Sequence, residues 1–230
     1  MYQPFESLRF AERCISVIGS GGKTTFLRHL SGRLAGTVVL TTSTRIFPFP
    51  DMPLVTVGAS SAPEDRERVL RELRSALARS RVACLGRPLA SGKLAAPTPF
   101  VSFGDLLRVA DTVLVEADGA AGKPLKAHRP WEPVIPACSE LTLCVVGASG
   151  IGKPAPEVCH CPELFCALAG TRPDQPVSEA AIATALNREG LADVYLVNQV
   201  DALSDPDRAA RLCELIQKPA AMCSLMAYGR

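Results

Sequence analysis

An α/β fold, a three-layer sandwich around a mainly parallel sheet, is predicted by two features of this sequence. The first is alternation. Short apolar runs at 14–18, 37–41, 54–57, 82–85, 112–115, 141–146 and 194–197 are interleaved with stretches of helical periodicity. Near-continuous apolar strands separated by helices imply a parallel sheet covered on both faces. The second is the stretch Cys14 to Arg28, CISVIGSGGKTTFLR, where a buried strand passes through a glycine-rich turn into a helix.

That stretch carries the chemistry. Gly19, Gly21 and Gly22, with Ser20 between them, remove side chains that would keep backbone N–H groups from converging on an anion. The helix that follows aims its unpaired amides and positive dipole end at the same point. Lys23 reaches terminal phosphates as a mobile charge, and Thr24, followed by Thr25, presents a hydroxyl to magnesium. The expected fold is therefore the P-loop nucleoside triphosphate hydrolase-like one, with Mg2+ and ATP or GTP as ligands. Val17 stands where the longer phosphate loop has its first glycine, so this loop is short. Its GxxGKT form resembles the loops of Mur-type ligases.

Composition narrows the classes. The chain has 230 residues, 47% hydrophobic and 21% charged, with a net charge of +2. That balance gives no warrant for a nucleic-acid or membrane partner. No apolar run approaches a membrane span, and residues 1–13 contain no apolar signal core, so a cytoplasmic location is expected. Nine cysteines without regular spacing argue against a disulfide scaffold. Cys14, Cys84, Cys144 and Cys213 sit in apolar surroundings, where cysteine acts as a small core residue.

The remaining elements follow in order. Residues 1–13 predict a short helix or arm, and the first long helix runs from Thr24 to Leu34 on Phe26, Leu27, Leu30 and Leu34. Prolines make 46–53 a loop. Helices are expected at 63–80, 102–110 (capped by Ser102), 162–169, 178–188 and 206–217, with a last edge strand at 221–227. Lacking a composition break, residues 1–230 are expected to form one nucleotide-binding domain. It would carry an inserted loop near 86–100, read as a substrate loop or lid, and a mixed region near 147–176.

Four further constellations bear on function. VLVEADG at 113–119 delivers Glu116 and Asp118 to a strand's carboxyl end, where open α/β sheets place ligands. Either acid can hold magnesium opposite Thr24, the other orienting water or an acceptor, with Asp118 favoured for the metal and Glu116 for the acceptor. Lys123, Lys126, His128 and Arg129 form a basic segment that suits an anionic substrate or is a solvated basic face. Thr42, Thr44 and Arg45 lie past the strand beside the loop and can donate to phosphates, or form a hydroxyl-rich turn. VNQVD at 197–201 looks like the base-reading NKxD signature of GTP-binding proteins with Gln199 replacing lysine. Asn198 would brace the loop and Asp201 would read guanine, unless an adenine site uses Asn198 or the turn only caps a helix. Cys159, His160, Cys161 and Cys166 are metal-ligand types in an arrangement better suited to packing or a turn. His29, on the first helix, has no expected catalytic task.

Taken together, GSGGKTT, TTSTRIF, VEADGAAGKPLKAHRPWEPVIP, GKP at 152–154, PELF at 162–165 and VNQVD resemble the YqeC family of selenium-dependent molybdenum hydroxylase accessory proteins. The resemblance implies a cytoplasmic protein that assists maturation of a molybdenum hydroxylase, with that enzyme or a cofactor-assembly protein as partner. The sequence departs from the family pattern at His128, where the family has proline after LKA, and at 159–163, where this chain has CHCPE in place of HRPE. VEADG also resembles the E-x-x-G strand end of the P-loop class containing dethiobiotin synthetase and metal-cofactor chaperones. Nucleotide hydrolysis in cofactor maturation is the activity this implies, with a small-molecule kinase and a nucleotide-gated adaptor as rivals.

Overall fold

The computed structural model of the chain describes residues 3–4, 8–58 and 62–225. Its elements begin with β1 (Gln3–Pro4), β2 (Cys14–Gly19), α1 (Lys23–Arg33), β3 (Val38–Thr42), β4 (Arg45–Ile46) and β5 (Leu54–Thr56). Then come α2 (Pro63–Ser80), β6 (Val82–Pro88), β7 (Leu94–Ala95), α3 (Phe103–Leu106), β8 (Thr112–Glu116) and β9 (Leu125–Lys126). The remainder is β10 (Leu141–Gly147), α4 (Ala155–Val158), β11 (Cys159–His160), α5 (Pro162–Ala169) and α6 (Glu179–Glu189). The last elements are β12 (Val194–Asn198), α7 (Asp207–Leu215) and β13 (Ala220–Met222).

The main sheet runs β1-β13-β12-β10-β2-β8-β3-β6-β7-β4, with β5 on β6, and all its pairings from β1 through β6 are parallel. Alternation along each strand sorts the core onto two faces. Ile15 and Val17, with Leu114 and Leu143, pack on Phe26, Leu27 and Leu30 of α1. Cys14, Val113 and Val115 face Leu70, Leu73 and Leu77 of α2 on the opposite side. Ile18, Cys144, Val146 and Val197 continue that side onto Phe165, Ile182 and Leu212 of α5, α6 and α7. Helices thus cover both faces, each buried leucine or phenylalanine contributing about 2 kcal/mol. Among the described residues no helix is long and apolar enough to cross a membrane.

Register positions the site. Glu116 lies abreast of Val17 on β2 and of Thr42 on β3, and Gly19 lies abreast of Val145 on β10. The glycine turn, the acidic strand end and the hydroxyl cluster therefore share the carboxyl edge of three adjacent strands.

Several elements differ from expectation. The stretch after Gly86 is no structureless loop: β6 continues to Pro88 and turns back into β7, which also pairs antiparallel with β4. Gly92, at φ 76, permits that turn. The expected loop over 46–53 thus starts inside a strand. Within 147–176 the chain folds into α4, β11 and α5, and β11 pairs with β9 in a small separate sheet. β13 is not an edge strand, because β1 pairs outside it. Residues 226–227 of the expected last strand, and 1–2 and 5–7 of the expected arm, lie outside the described residues.

Arg81 holds the far end of α1. Its guanidinium donates to the carbonyls of Ser31 (3.3 Å), Gly32 (3.2 Å) and Gly36 (3.0 Å), and also to that of Leu34. These include orphan C-terminal carbonyls of a helix whose dipole also favours a cation there. Arg81→Met keeps the stem and removes the donors, and is expected to cost about 2 kcal/mol of stability. Urea denaturation checks this; an unchanged midpoint would show that the carbonyls are equally well served by water.

Candidate functional site

The turn between β2 and α1 needs its glycines. Gly19, Gly21 and Gly22 have φ of 86°, 79° and 123°. A Cβ on Gly19 would sit 2.3 Å from the Val145 carbonyl oxygen, and one on Gly21 would sit 2.4 Å from the Gly147 Cα. Ser20 ties the turn down: its N–H donates to Val145 O (2.8 Å) and its hydroxyl to Pro124 O (2.8 Å). No side chain caps the start of α1, so its first amides face the turn without intrahelical acceptors. Thr24 is exposed and Thr25 half-buried on that first turn.

Asp118 is the centre of the arrangement and is fully buried. Its carboxylate accepts from the Gly19 N–H (2.9 Å) and from His128 Nε2 (2.8 Å). It pairs with Lys23 Nζ at 2.9 Å and Lys126 Nζ at 3.2 Å. Burial alone would raise its pKa, but the His128 hydrogen bond and the charges of Lys23 and Lys126 outweigh it and hold the carboxyl at about 2. Lys23, itself buried, also donates to Gly19 O at 2.6 Å, so the ammonium closes back across its own loop.

Glu116 has a different environment. It accepts from the Thr24 hydroxyl at 3.2 Å. Burial pushes its carboxyl upward, and Lys23 and Thr24 only partly offset that. Of the two acids, either of which was expected to hold magnesium with Asp118 favoured, the geometry leaves Glu116 the more available. Asp118 is committed to protein cations, whereas Glu116 is an under-compensated carboxylate beside a hydroxyl.

The basic segment is not a solvated face. Lys126 donates to Gly119 O (2.5 Å) and pairs with Glu132 (3.2 Å) as well as Asp118, with no side-chain exposure. His128 sits between two carboxylates, its Nδ1 3.0 Å from Glu189 Oε2 and its N–H 2.6 Å from Glu189 Oε1. A neutral imidazole has one N–H, so carboxylates on both ring nitrogens select the doubly protonated ring. Burial lowers the His128 pKa, but hydrogen bonds to Asp118 and Glu189 more than reverse this. Lys123 donates to Glu157 O (2.6 Å), and Arg129 is half-buried.

On one flank, the Thr42 hydroxyl donates to the Glu116 carbonyl (2.8 Å) and accepts from the Thr44 N–H (2.9 Å), a compact turn from which Arg45 projects exposed. On the other, the buried Asn198 amide donates to Gly21 O (2.7 Å) and accepts from the Leu225 N–H (3.0 Å). Both ends of that amide are thereby used inside the protein, as a brace for the loop. Gln199 Oε1 accepts from the Ser149 hydroxyl (2.6 Å), and Asp201 is exposed on the next turn. The cysteine–histidine stretch does not assemble. Cys159 and Cys166 are buried, and among the described residues no group of three or more His, Cys, Asp or Glu is arranged to hold a metal.

Two residues were missed in the sequence. Glu132 lies between prolines in a segment read only for its cations. Glu189 ends α6, where an acid opposes the helix dipole; that misplaced charge was the available signal.

The fold and site define a class: an α/β protein with a mainly parallel sheet, whose glycine turn, lysine and acidic strand end meet at the carboxyl edge. More particularly, the chain belongs to the YqeC family, whose model, described as YqeC protein, matches residues 15–163. It is 28% identical over 218 residues to the protein named "Uncharacterized protein YqeC" of Escherichia coli (strain K12), covering 88% of this chain and 81% of the relative. No solved structure matches the chain. The matched stretch includes the loop, Thr42–Arg45, the acidic pair and the basic segment, and ends before Glu189 and Asn198.

His128 gives the site a pH signature. With its folded pKa above the ordinary 6.5, its proton stabilises the fold fully below that value, and the contribution fades as pH rises through the folded pKa. Denaturation of the wild type should therefore show stability falling as pH rises from 6 into the alkaline range, with His128→Gln flattening the slope. An identical slope in the variant would place the titration elsewhere.

Proposed function

We propose that the chain is a P-loop-type nucleotide-binding protein, holding the triphosphate of ATP or GTP over Gly19–Thr25. It hydrolyses or transfers the terminal phosphate in the maturation of a selenium-dependent molybdenum hydroxylase. The observation that supports this best is the buried Lys23 ammonium, held at the mouth of a positive-φ glycine turn by Gly19 O and Asp118. Uncapped helix amides converging beside a lysine at a glycine turn are a ready-made anion site. The link to a molybdenum hydroxylase follows from the family resemblance.

In this reading the α1 amides and Lys23 hold the phosphates, and Asp118 orients Lys23 while His128 and Lys126 keep Asp118 ionised. Magnesium prefers few protein ligands and a partner phosphate. The Thr24 hydroxyl and the under-compensated Glu116, 3.2 Å apart, fit such an ion, and these are the residues that would hold it. Bound there, the ion supplies neutralisation of developing phosphate charge. Asn198 fixes the loop through Gly21 O, and Asp201, exposed past β12, is the residue left to read a base, giving a modest guanine preference.

Three variants separate these roles. Lys23→Ala is expected to stay folded, lose most nucleotide affinity and drop turnover about a hundredfold or more. Glu116→Gln should lose magnesium-dependent turnover while retaining much of its affinity for metal-free nucleotide. Asp118→Asn should behave differently, destabilising the fold by about 3 kcal/mol or more by leaving Lys23, Lys126 and His128 buried without their shared anion. Calorimetric titration with nucleotide, with and without magnesium, and urea denaturation read all three. Wild-type affinity in Lys23→Ala would refute the phosphate assignment; wild-type metal dependence in Glu116→Gln would refute the magnesium assignment. Competition between GTP and ATP tests the base: tighter ATP binding, unchanged in Asp201→Asn, would contradict the guanine preference.

A further inference from the structure

The ribbon formed by the ends of β6, β7 and β4 carries an arrangement that the nucleotide reading leaves unused. Arg87 on β6 and Arg45 on β4 both lie opposite Ala95 on β7, so the three share one face of the ribbon. Leu94 and Ile46, one position along, turn to the other face and enter the core with α1. On the arginine face Lys93 stands over the Phe47 ring, its Nζ 4.7 Å from the centroid. Two guanidiniums, an ammonium and an aromatic ring thus surround a small alanine.

No carboxylate lies within ion-pair distance of Arg45, Arg87 or Lys93 among the described residues. Moreover, two donors at this edge are buried without a hydrogen-bond partner, the Nε of Arg87 and the hydroxyl of Ser43. An unpaired buried donor costs about 1–3 kcal/mol, a cost that an acceptor arriving at this edge would remove. Ser43 also bonds through its N–H to the Glu116 carbonyl (3.1 Å), which ties this edge to the acidic strand end. The charge of Lys93 is felt at the Glu116 carboxyl.

Position in the sheet separates this face from the nucleotide's base. The base-reading turn after β12 lies two strands to one side of β2, beyond β10. The ribbon begins three strands to the other side, beyond β8 and β3. A nucleotide laid from the turn after β12 across the glycine loop directs its terminal phosphate toward Glu116 and the ribbon.

We propose that the face formed by Arg45, Arg87 and Lys93, with the Ser43 hydroxyl at the same sheet edge, binds a second, small anionic substrate, carrying a phosphate or carboxylate group, as the partner of the nucleotide. It rests on the nucleotide reading for the direction of transfer, though not for the binding itself. Planar guanidiniums match either oxyanion with paired hydrogen bonds, and the exposed Phe47 ring gives the body of such a molecule an apolar surface. Lys126 and His128, expected to hold that substrate, are instead occupied by Asp118, Glu132 and Glu189.

The test is an NMR titration of the full chain with inorganic phosphate and, separately, citrate, in the presence of magnesium and a non-hydrolysable ATP analogue. The same titrations are run on Lys23→Ala, where the phosphate loop is disabled. Saturable binding of either anion is expected, with shifts at Arg45, Ser43, Arg87 and Lys93. Affinity should fall about tenfold in Arg45→Gln, an exposed position where folding is not at risk, and in Arg87→Gln. Lys23→Ala should leave it unchanged. Phosphate alone binding would assign a phosphate-bearing substrate, and citrate alone a carboxylate-bearing one. No saturable binding, or binding that vanishes in Lys23→Ala and ignores both arginines, overturns the proposal. Nucleotide affinity, measured on the same variants, fails or stands independently.

Discussion

The buried carboxylate of Asp118 is the group on which the rest of the site depends. It has no solvent exposure, and four partners from two segments of chain converge on it: Gly19 and Lys23 from the loop, and Lys126 and His128 from β9 and its continuation. An ion in that position is tolerated only when fully paired. The glycine turn is thus tied to the segment after β8 by charge as well as by the sheet register that sets β2 beside β8. Glu132 and Glu189 extend the network outward, so that the shape of the loop is coupled to the end of α6, remote in sequence.

Two kinds of constraint meet at the loop. The backbone is held by close approach: Gly19 lies against β10, Gly21 against Gly147, and Gly22 against the Asn198 amide. The charge is held by Asp118. Between them they leave the α1 amides facing outward and Glu116 directed at Thr24, an asymmetry between two neighbouring acids that follows from the partners each one meets. Glu116 and Asp118 are separated by Ala117, which turns into the core with Ile18 and Leu125. The edge beyond Glu116 then carries Arg45, Arg87 and Lys93 of the β4–β7 ribbon, opposite in charge to the acids it borders and without an ion-pair partner among the described residues.

Much of this was legible in the sequence. The strands and the helix at Pro63–Ser80 followed from periodicity, because parallel strands buried on both faces read as apolar runs. Lys23, Thr24, Glu116 and Asp118 were found by residue type at strand ends. What periodicity could not show was burial of charge. Lys126 and His128 read as a basic segment because Asp118 was read as a metal ligand, Glu132 was passed over between prolines, and Glu189 lies 61 residues from His128. The β6–β7 hairpin was hidden for a different reason: β7 is two residues long and sits among Gly, Pro and Ala, so no alternation develops. Asn198 was recognised as a loop brace, but its use of both amide ends depends on Leu225, far along the chain.

The central claim is that Lys23 waits on Asp118 for a phosphate. A crystal structure of the chain grown with magnesium and a non-hydrolysable triphosphate measures this directly. The account predicts phosphate oxygens against the amides of Gly21 to Thr25, Lys23 Nζ moved from Gly19 O onto them, and Asp118 still held by Lys126 and His128. A triphosphate bound elsewhere, or bound over the loop with the Lys23–Gly19 contact intact, would contradict it.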